Sequence, residues 1–267
     1  MSTYSKEHND YLKKLRREKI IVIFFQILII VSFLIIWELL VKFKLINTFL
    51  SSSPVKVVET ILSLLKDNSL FHHIWITTYE TLVSFLIASV IGLIVGGLLW
   101  WNKLLAKIID PYLTILNSLP KVALGPLIII WVGASMNSII FMALLITTFV
   151  AIINIYNGFN STEESYITLM KSFNANKFQI FFKAVLPSNY STIINTLKIN
   201  VSMSLIGVIM GELLVSKSGL GYLIMYGSQV FNIDLVITSV IILGLLSLLM
   251  YFVVSKLDHL TKKENRN

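Results

Sequence analysis

The sequence predicts an all-α fold, a polytopic membrane bundle of about six transmembrane helices. Three observations point there. Of the 267 residues, 56% are hydrophobic and 13% charged, with a mean hydropathy of +0.81, whereas a soluble domain carries about a quarter charged residues. Apolar runs recur along the chain, most near the roughly 20 residues that a span needs. Lys and Arg are shared unevenly among the stretches between those runs, as inner loops demand. The net charge of +8 is therefore read as loop enrichment, with no nucleic-acid partner. No cysteine is present, which excludes disulfides and thiolate metal sites.

Residues 1–19 are polar and basic. Residues 20–41 form the first span, uncleaved because the run outlasts the 7–15 residues of a signal peptide. Glu38 near its end can reach interfacial water. Residues 42–74 are extramembrane. Within them Ser53-Pro54 opens an amphipathic helix to about Lys66, with serine as cap and proline at the first helical position. His72 and His73 are expected in a loop. The core, 75–257, begins with a span from Trp75 to Trp101, in which Gly92 and Gly96 give a G-x-x-x-G spacing for close helix approach and Glu80 lies near the outer surface. Lys103 and Lys107 mark a short inner loop.

Ile108 to Gly133 holds Pro111, Pro120 and Pro126. Proline removes a donor and clashes with the preceding turn, and freed carbonyls in a bilayer need protein or water partners. This span is predicted to break at Leu119-Pro120 and to face the bundle interior. Lys121 is either a pathway residue, as intramembrane charges tend to be, or a side chain that snorkels or caps the carbonyls freed at Pro120. Ile139–Tyr156, Thr192–Val215 and Leu235–Ser255 complete the spans. A polar, glycine-bearing reach precedes the last, and residues 258–267 form a basic tail. With both termini inside, 15 Lys and Arg fall on the inner side and 5 on the outer. That bias predicts a multi-pass protein of the cell (inner or plasma) membrane with cytoplasmic N- and C-termini.

Motifs for chemistry are missing. There is no Gly-x-x-x-x-Gly-Lys-Ser/Thr loop, no nucleophile elbow and no His-Glu-x-x-His helix. The chain is expected to be neither an enzyme nor a binder of nucleotide, metal or other cofactor. The segment 157–190 stands out instead as an amphipathic interruption on the predicted inner side. Ser161 is a candidate N-cap with Glu164 three residues on, as in a capping box. Tyr166, Ile167, Leu169, Met170 and Phe173 give an apolar face. Asn174 suits a left-handed C-cap, and Asn176–Val185 makes a second helix that Leu186-Pro187 ends. Such a pair fills a groove on a soluble partner or lies on the inner leaflet against membrane lipid.

This segment resembles the cytoplasmic loop of ABC-importer permeases, the inner-membrane components of binding-protein-dependent transport systems. That loop reads Glu-Ala-Ala, three residues, Gly, about nine residues, Ile, one residue, Leu-Pro. Laid back from Leu186-Pro187, its glycine falls on Asn174, its Glu-Ala-Ala on Thr168, Leu169 and Met170, and its isoleucine on Ala184. LNSLPKVALGPLIIIWVG (116–133), and Glu212 followed by SGLGYLI (218–224), look like the nitrate/sulfonate/taurine-type branch, and the resemblance runs from about Phe49 to Leu257. It implies a permease subunit that forms the pathway for a small solute, a sulfonate-, nitrate- or taurine-like anion or a vitamin-precursor-like compound. It implies a separate ABC ATPase that binds the ATP, a second permease copy as a homodimer, and an extracytoplasmic solute-binding protein. The coupling residues it implies are Glu164, Thr168, Met170, Phe173, Asn174, Phe178, Phe182, Leu186 and Pro187. Pathway candidates are Pro120, Lys121, Glu212, Gly219 and Gly221. The alternative is a secondary transporter not driven by ATP, which would favour internal repeats and several mid-membrane charges.

Overall fold

The computed structural model describes residues 6–46 and 51–264. The first five residues, residues 47–50 with Phe49, and the last three of the basic tail lie outside the described residues. The chain divides into two units, Met1–Ser63 and Leu64–Asn267, and the described elements are all helical.

In the first unit, α1 (Lys6–Lys42) runs back through the basic start, since Lys and Arg are good helix formers. Its apolar side chains are exposed along the span, as lipid-facing residues are. Proline at its first position starts α2 (Pro54–Lys66), which begins in this unit and ends in the next. Glu38 does not simply face water: its carboxyl accepts the Val55 N–H at 3.2 Å, one of the free amides of the α2 start.

The second unit is built on three long helices, α3 (Ser69–Trp101), α6 (Met136–Asn160) and α9 (Tyr190–Val215), packed on one another. Between α3 and α6 come α4 (Lys103–Ser118), a 3₁₀ turn (Lys121–Leu124) and α5 (Gly125–Val132). After α6 come α7 (Glu164–Ser172) and α8 (Lys177–Ile180); α10 (Leu220–Gln229) and α11 (Ile233–Glu264) close the chain. The predicted G-x-x-x-G spacing works inside the chain. A Cβ on Gly92 would lie 2.6 Å from Ala151 Cβ, and one on Gly96 2.7 Å from Ile155 Cγ2, so α3 and α6 touch backbone to backbone. Polar links add to this packing: Thr147 and Ser204 hydroxyls are 3.2 Å apart and buried, and Asn200 Nδ2 donates to Ser89 Oγ at 3.0 Å.

Among the described residues five helices are long and apolar enough to cross a membrane, and α4 with the 3₁₀ turn and α5 makes a sixth if the bent pair is one span. The break falls at Leu119-Pro120, as expected, with a bend of 82°. The segment does not turn inward within this chain, however. Val122, Leu127, Ile130 and Trp131 are exposed, and Gly125 and Ile128 are the buried residues of α5. Three further expectations are corrected. His72 and His73 lie in α3, which starts six residues before Trp75. The glycine-bearing reach contains a helix, α10. Helical turns continue past Leu186-Pro187, because a π turn (Phe181–Val185) widens the helix just before the proline and removes the ring's clash with the preceding turn.

Candidate functional site

Two regions carry the residues singled out by sequence, at opposite ends of α3. At the Trp101 end lies the segment after α6. Ser161 is not the N-cap of α7: it ends α6, its N–H bonding to Asn157 O and Gly158 O and its hydroxyl to Gly158 O at 2.8 Å. α7 begins only at Glu164, whose carboxylate in the first turn complements the helix dipole. Its far end closes as expected on Asn174, at φ 53°. Asn174 N–H bonds to Lys171 O at 2.9 Å and Ala175 N–H to Met170 O at 3.0 Å, the paired bonds of a Schellman motif. Asn176 then starts α8 with a reciprocal capping box: Gln179 N–H to Asn176 Oδ1 is 2.8 Å, and Asn176 N–H to Gln179 Oε1 is 2.9 Å.

The apolar face predicted for α7 divides in two. Ile167 and Met170 pack on a cluster of Ile155, Phe159, Ile180 and Val185, which seats the helix on the core. Tyr166, Leu169 and Phe173 recur at helical spacing on the neighbouring side and are 48%, 54% and 74% exposed. Phe178 and Phe182 keep different company. Their rings lie 4.4 Å apart, and Phe178 approaches Trp101 at 6.3 Å and Phe182 approaches Phe181 at 5.2 Å. Thr168 is exposed and Leu186 half-buried. Asn189 ties the end of the segment back to its start, donating to Thr162 Oγ1 at 2.7 Å and Val185 O at 2.9 Å.

At the other end of α3, Glu212, Gly219 and Gly221 are brought together, with partners that the sequence did not single out. Gly219, the N-cap of α10, sits at φ 109° and has no side chain to satisfy the helix's first amides. Side chains from α3 and α9 accept them instead. Gly219 N–H goes to His73 Nδ1 at 3.0 Å, Leu220 N–H to Thr77 Oγ1 at 2.8 Å and Gly221 N–H to Glu212 Oε2 at 2.6 Å. Thr77 Oγ1 in turn donates a hydrogen bond to Glu212 Oε1 at 2.7 Å. The carboxylate at a helix start satisfies orphan amides and the dipole together. A Cβ on Gly219 would collide with that carboxylate. Glu80 lies roughly three turns into α3 and is packed inside the bundle, 1% exposed.

Lys121 stands apart from this group. It is half-buried at the bend, donates to Asn117 Oδ1 at 3.0 Å and lies 5.6 Å from the centre of the Phe149 ring. That bond goes to a side chain and not to a carbonyl of the turn before Pro120.

An exposed two-helix segment seated on a membrane bundle, a proline-broken span and a glycine turn held by a glutamate form one pattern. Residues 88–263 match the family model described as binding-protein-dependent transport system inner membrane component. The chain belongs to that family. The permease is 28% identical over 227 residues to a formylaminopyrimidine transport permease of Halalkalibacterium halodurans, covering 85% of this chain and 90% of that one. It is 28% identical over 207 residues to a Bacillus subtilis protein described as an aliphatic sulfonates transport permease, covering 78% and 75%. Its fold is similar to that of the MetNI methionine ABC transporter in inward-facing conformations, with a TM-score of 0.64, 23% identity, and coverage of 70% of this chain and 94% of that one. The permease is thus the inner-membrane, multi-pass subunit of an ABC importer. It is not itself catalytic, and ATP is hydrolysed on a separate ATPase subunit. A solute-binding protein is the third kind of component that the family implies. Membership removes the alternative of a secondary transporter.

Proposed function

We propose that α7 is the element through which the ATPase drives this permease, with Tyr166, Leu169 and Phe173 as the docking stripe. The observation that carries the reading is that stripe: three large apolar side chains, two on one face of a short helix and the third at its C-cap, beside a neighbouring face that is anchored to the core. A helix held in this way transmits a push from its exposed side to α6 and α9. Glu164, Thr168 and Asn174 support the element by charge, exposure and backbone shape. Met170, Leu186 and Pro187 serve its seating. Phe178 and Phe182, expected in the docking surface, belong in this reading to the aromatic group beside Trp101.

The termini are cytoplasmic in this proposal, which puts α7 on the ATPase side; the uneven distribution of Lys and Arg supports it. A second copy of the chain covers the exposed apolar face of α5, and the solute passes along the bend at Pro120 and Lys121. Glu212, Gly219 and Gly221 shape the outer end of that path. For the cargo, the relatives named for aliphatic sulfonates and formylaminopyrimidine support a small sulfonate or pyrimidine vitamin precursor, chosen mainly by the binding protein. Calorimetric titration of both solute classes against that binding protein tests the cargo; binding of neither refutes it. Co-purification of the ATPase with Leu169→Asp tests the docking. The variant is expected to enter the membrane and lose the ATPase, and full retention would remove α7 from the interface.

A further inference from the structure

Two adjoining hollows at the Trp101 end of α3 differ in chemistry. The larger, of about 1020 Å³, opens between the α3–α4 junction and α7, and Lys103, Lys171 and Lys177 border it against one carboxylate, Glu164. The smaller, of about 320 Å³, is a groove along α3 between Leu93, Ile94 and Leu98 on one side and Phe181, Phe182 and Leu186 on the other. Trp101 borders both. From Ile94 to Trp101 the wall changes from aliphatic to aromatic within about 10 Å of helix, and the cationic Lys103 follows just past the junction. A phospholipid changes in the same order from chain to headgroup, and Trp marks that boundary in membrane helices.

The cationic end is already shaped. Lys177 donates to the Trp101 carbonyl, and its ammonium lies 5.6 Å from the indole centre, so one charge is held at the mouth of the groove. Exposed apolar side chains on a spanning helix face lipid as a matter of course. A groove that ends in a cavity bordered by three lysines is a more selective arrangement, because basic pockets at the inner ends of membrane helices bind anionic headgroups.

We propose that these two hollows are one binding site for an anionic glycerophospholipid. Its phosphate and headgroup lie among Lys103, Lys171 and Lys177, and one acyl chain lies in the groove against Ile94 and Phe182. Lys171 belongs to α7, so the bound lipid bridges α3 to the coupling element. The site itself does not depend on the docking reading.

The test is native mass spectrometry of the full chain in nonionic detergent, titrated with phosphatidylglycerol or phosphatidylcholine carrying the same chains. One phosphatidylglycerol is expected to be retained at a roughly tenfold lower concentration than phosphatidylcholine. Joint replacement of Lys103, Lys171 and Lys177 by Gln should abolish that preference, and joint replacement by Arg should keep it, which separates charge from folding. Ile94→Trp fills the groove without touching a lysine and should also weaken phosphatidylglycerol. Equal retention of the two lipids by the native chain overturns the proposal, as does a preference that survives the Gln variant. Displacement of phosphatidylglycerol by inorganic phosphate, with Ile94→Trp binding normally, would identify a free-anion site and overturn the lipid assignment.

Discussion

Glu212 does for α10 what that helix's own first residue cannot. Gly219 brings a left-handed backbone and no side chain, and the amides it leaves open are closed by His73, Thr77 and Glu212 from two other helices. Buried amides without acceptors cost about 1–3 kcal/mol each. Glu212→Ala is therefore expected to lower the unfolding free energy by at least about 2 kcal/mol, read as a lower melting temperature of the purified chain in detergent. An unchanged melting temperature would mean that water closes the gap. Gly219→Ala strains φ and drives a methyl into the same carboxylate, at a cost of at least about 1–3 kcal/mol. It should destabilise the chain even though it adds apolar surface. These residues show where local sequence stops being informative. Glu212 and the glycines stand out by type, but the role of Thr77 depends on partners more than a hundred residues away. His73 looks like a loop residue because its contacts with Gly219 and Tyr222 are equally remote.

At the scale of the element, α7 and its caps decide how the docking stripe is presented. The left-handed turn at Asn174 was legible because few residues adopt that backbone easily, and the broken third span was legible because Pro120 lacks a donor. The start of α7 was not. Ser161 has the right type for an N-cap, but its hydroxyl is engaged by the end of α6. The helix through Pro187 was missed because a π turn absorbs the ring, and no short-range pattern signals that. Asn174→Gly is expected to leave stability unchanged or raise it by up to about 1 kcal/mol. Asn174→Val should open the Schellman turn, and amide hydrogen exchange across Glu164–Ser172 should then speed up while α6 and α9 exchange as before. Uniform exchange in both variants would argue that packing by Ile167 and Met170 alone holds the element.

At the scale of the whole molecule, the fold class and five of the predicted spans could be read from composition and apolar runs, because lipid forces every span to be long and apolar. The packing order could not, since close contact between α3, α6 and α9 rests on small residues matched across helices. The exposed bend of α4 and α5 is the other feature seen only in three dimensions. If a second copy covers it, Trp131→Lys should convert the assembled permease to single copies in light scattering without changing its helix content. A dimer that persists places the interface elsewhere.

The most direct test of the central claim, that the outer stripe of α7 docks the ATPase, uses the absence of native cysteine. Leu169→Cys introduces one thiol on the stripe, and Phe71→Cys one on the exposed start of α3, at the opposite end of that helix. Maleimide labelling in detergent is measured with and without the ATPase subunit. The account predicts that labelling at position 169 falls at least roughly tenfold on assembly, while labelling at position 71 does not change. Equal labelling at position 169 in the free and assembled permease would contradict it.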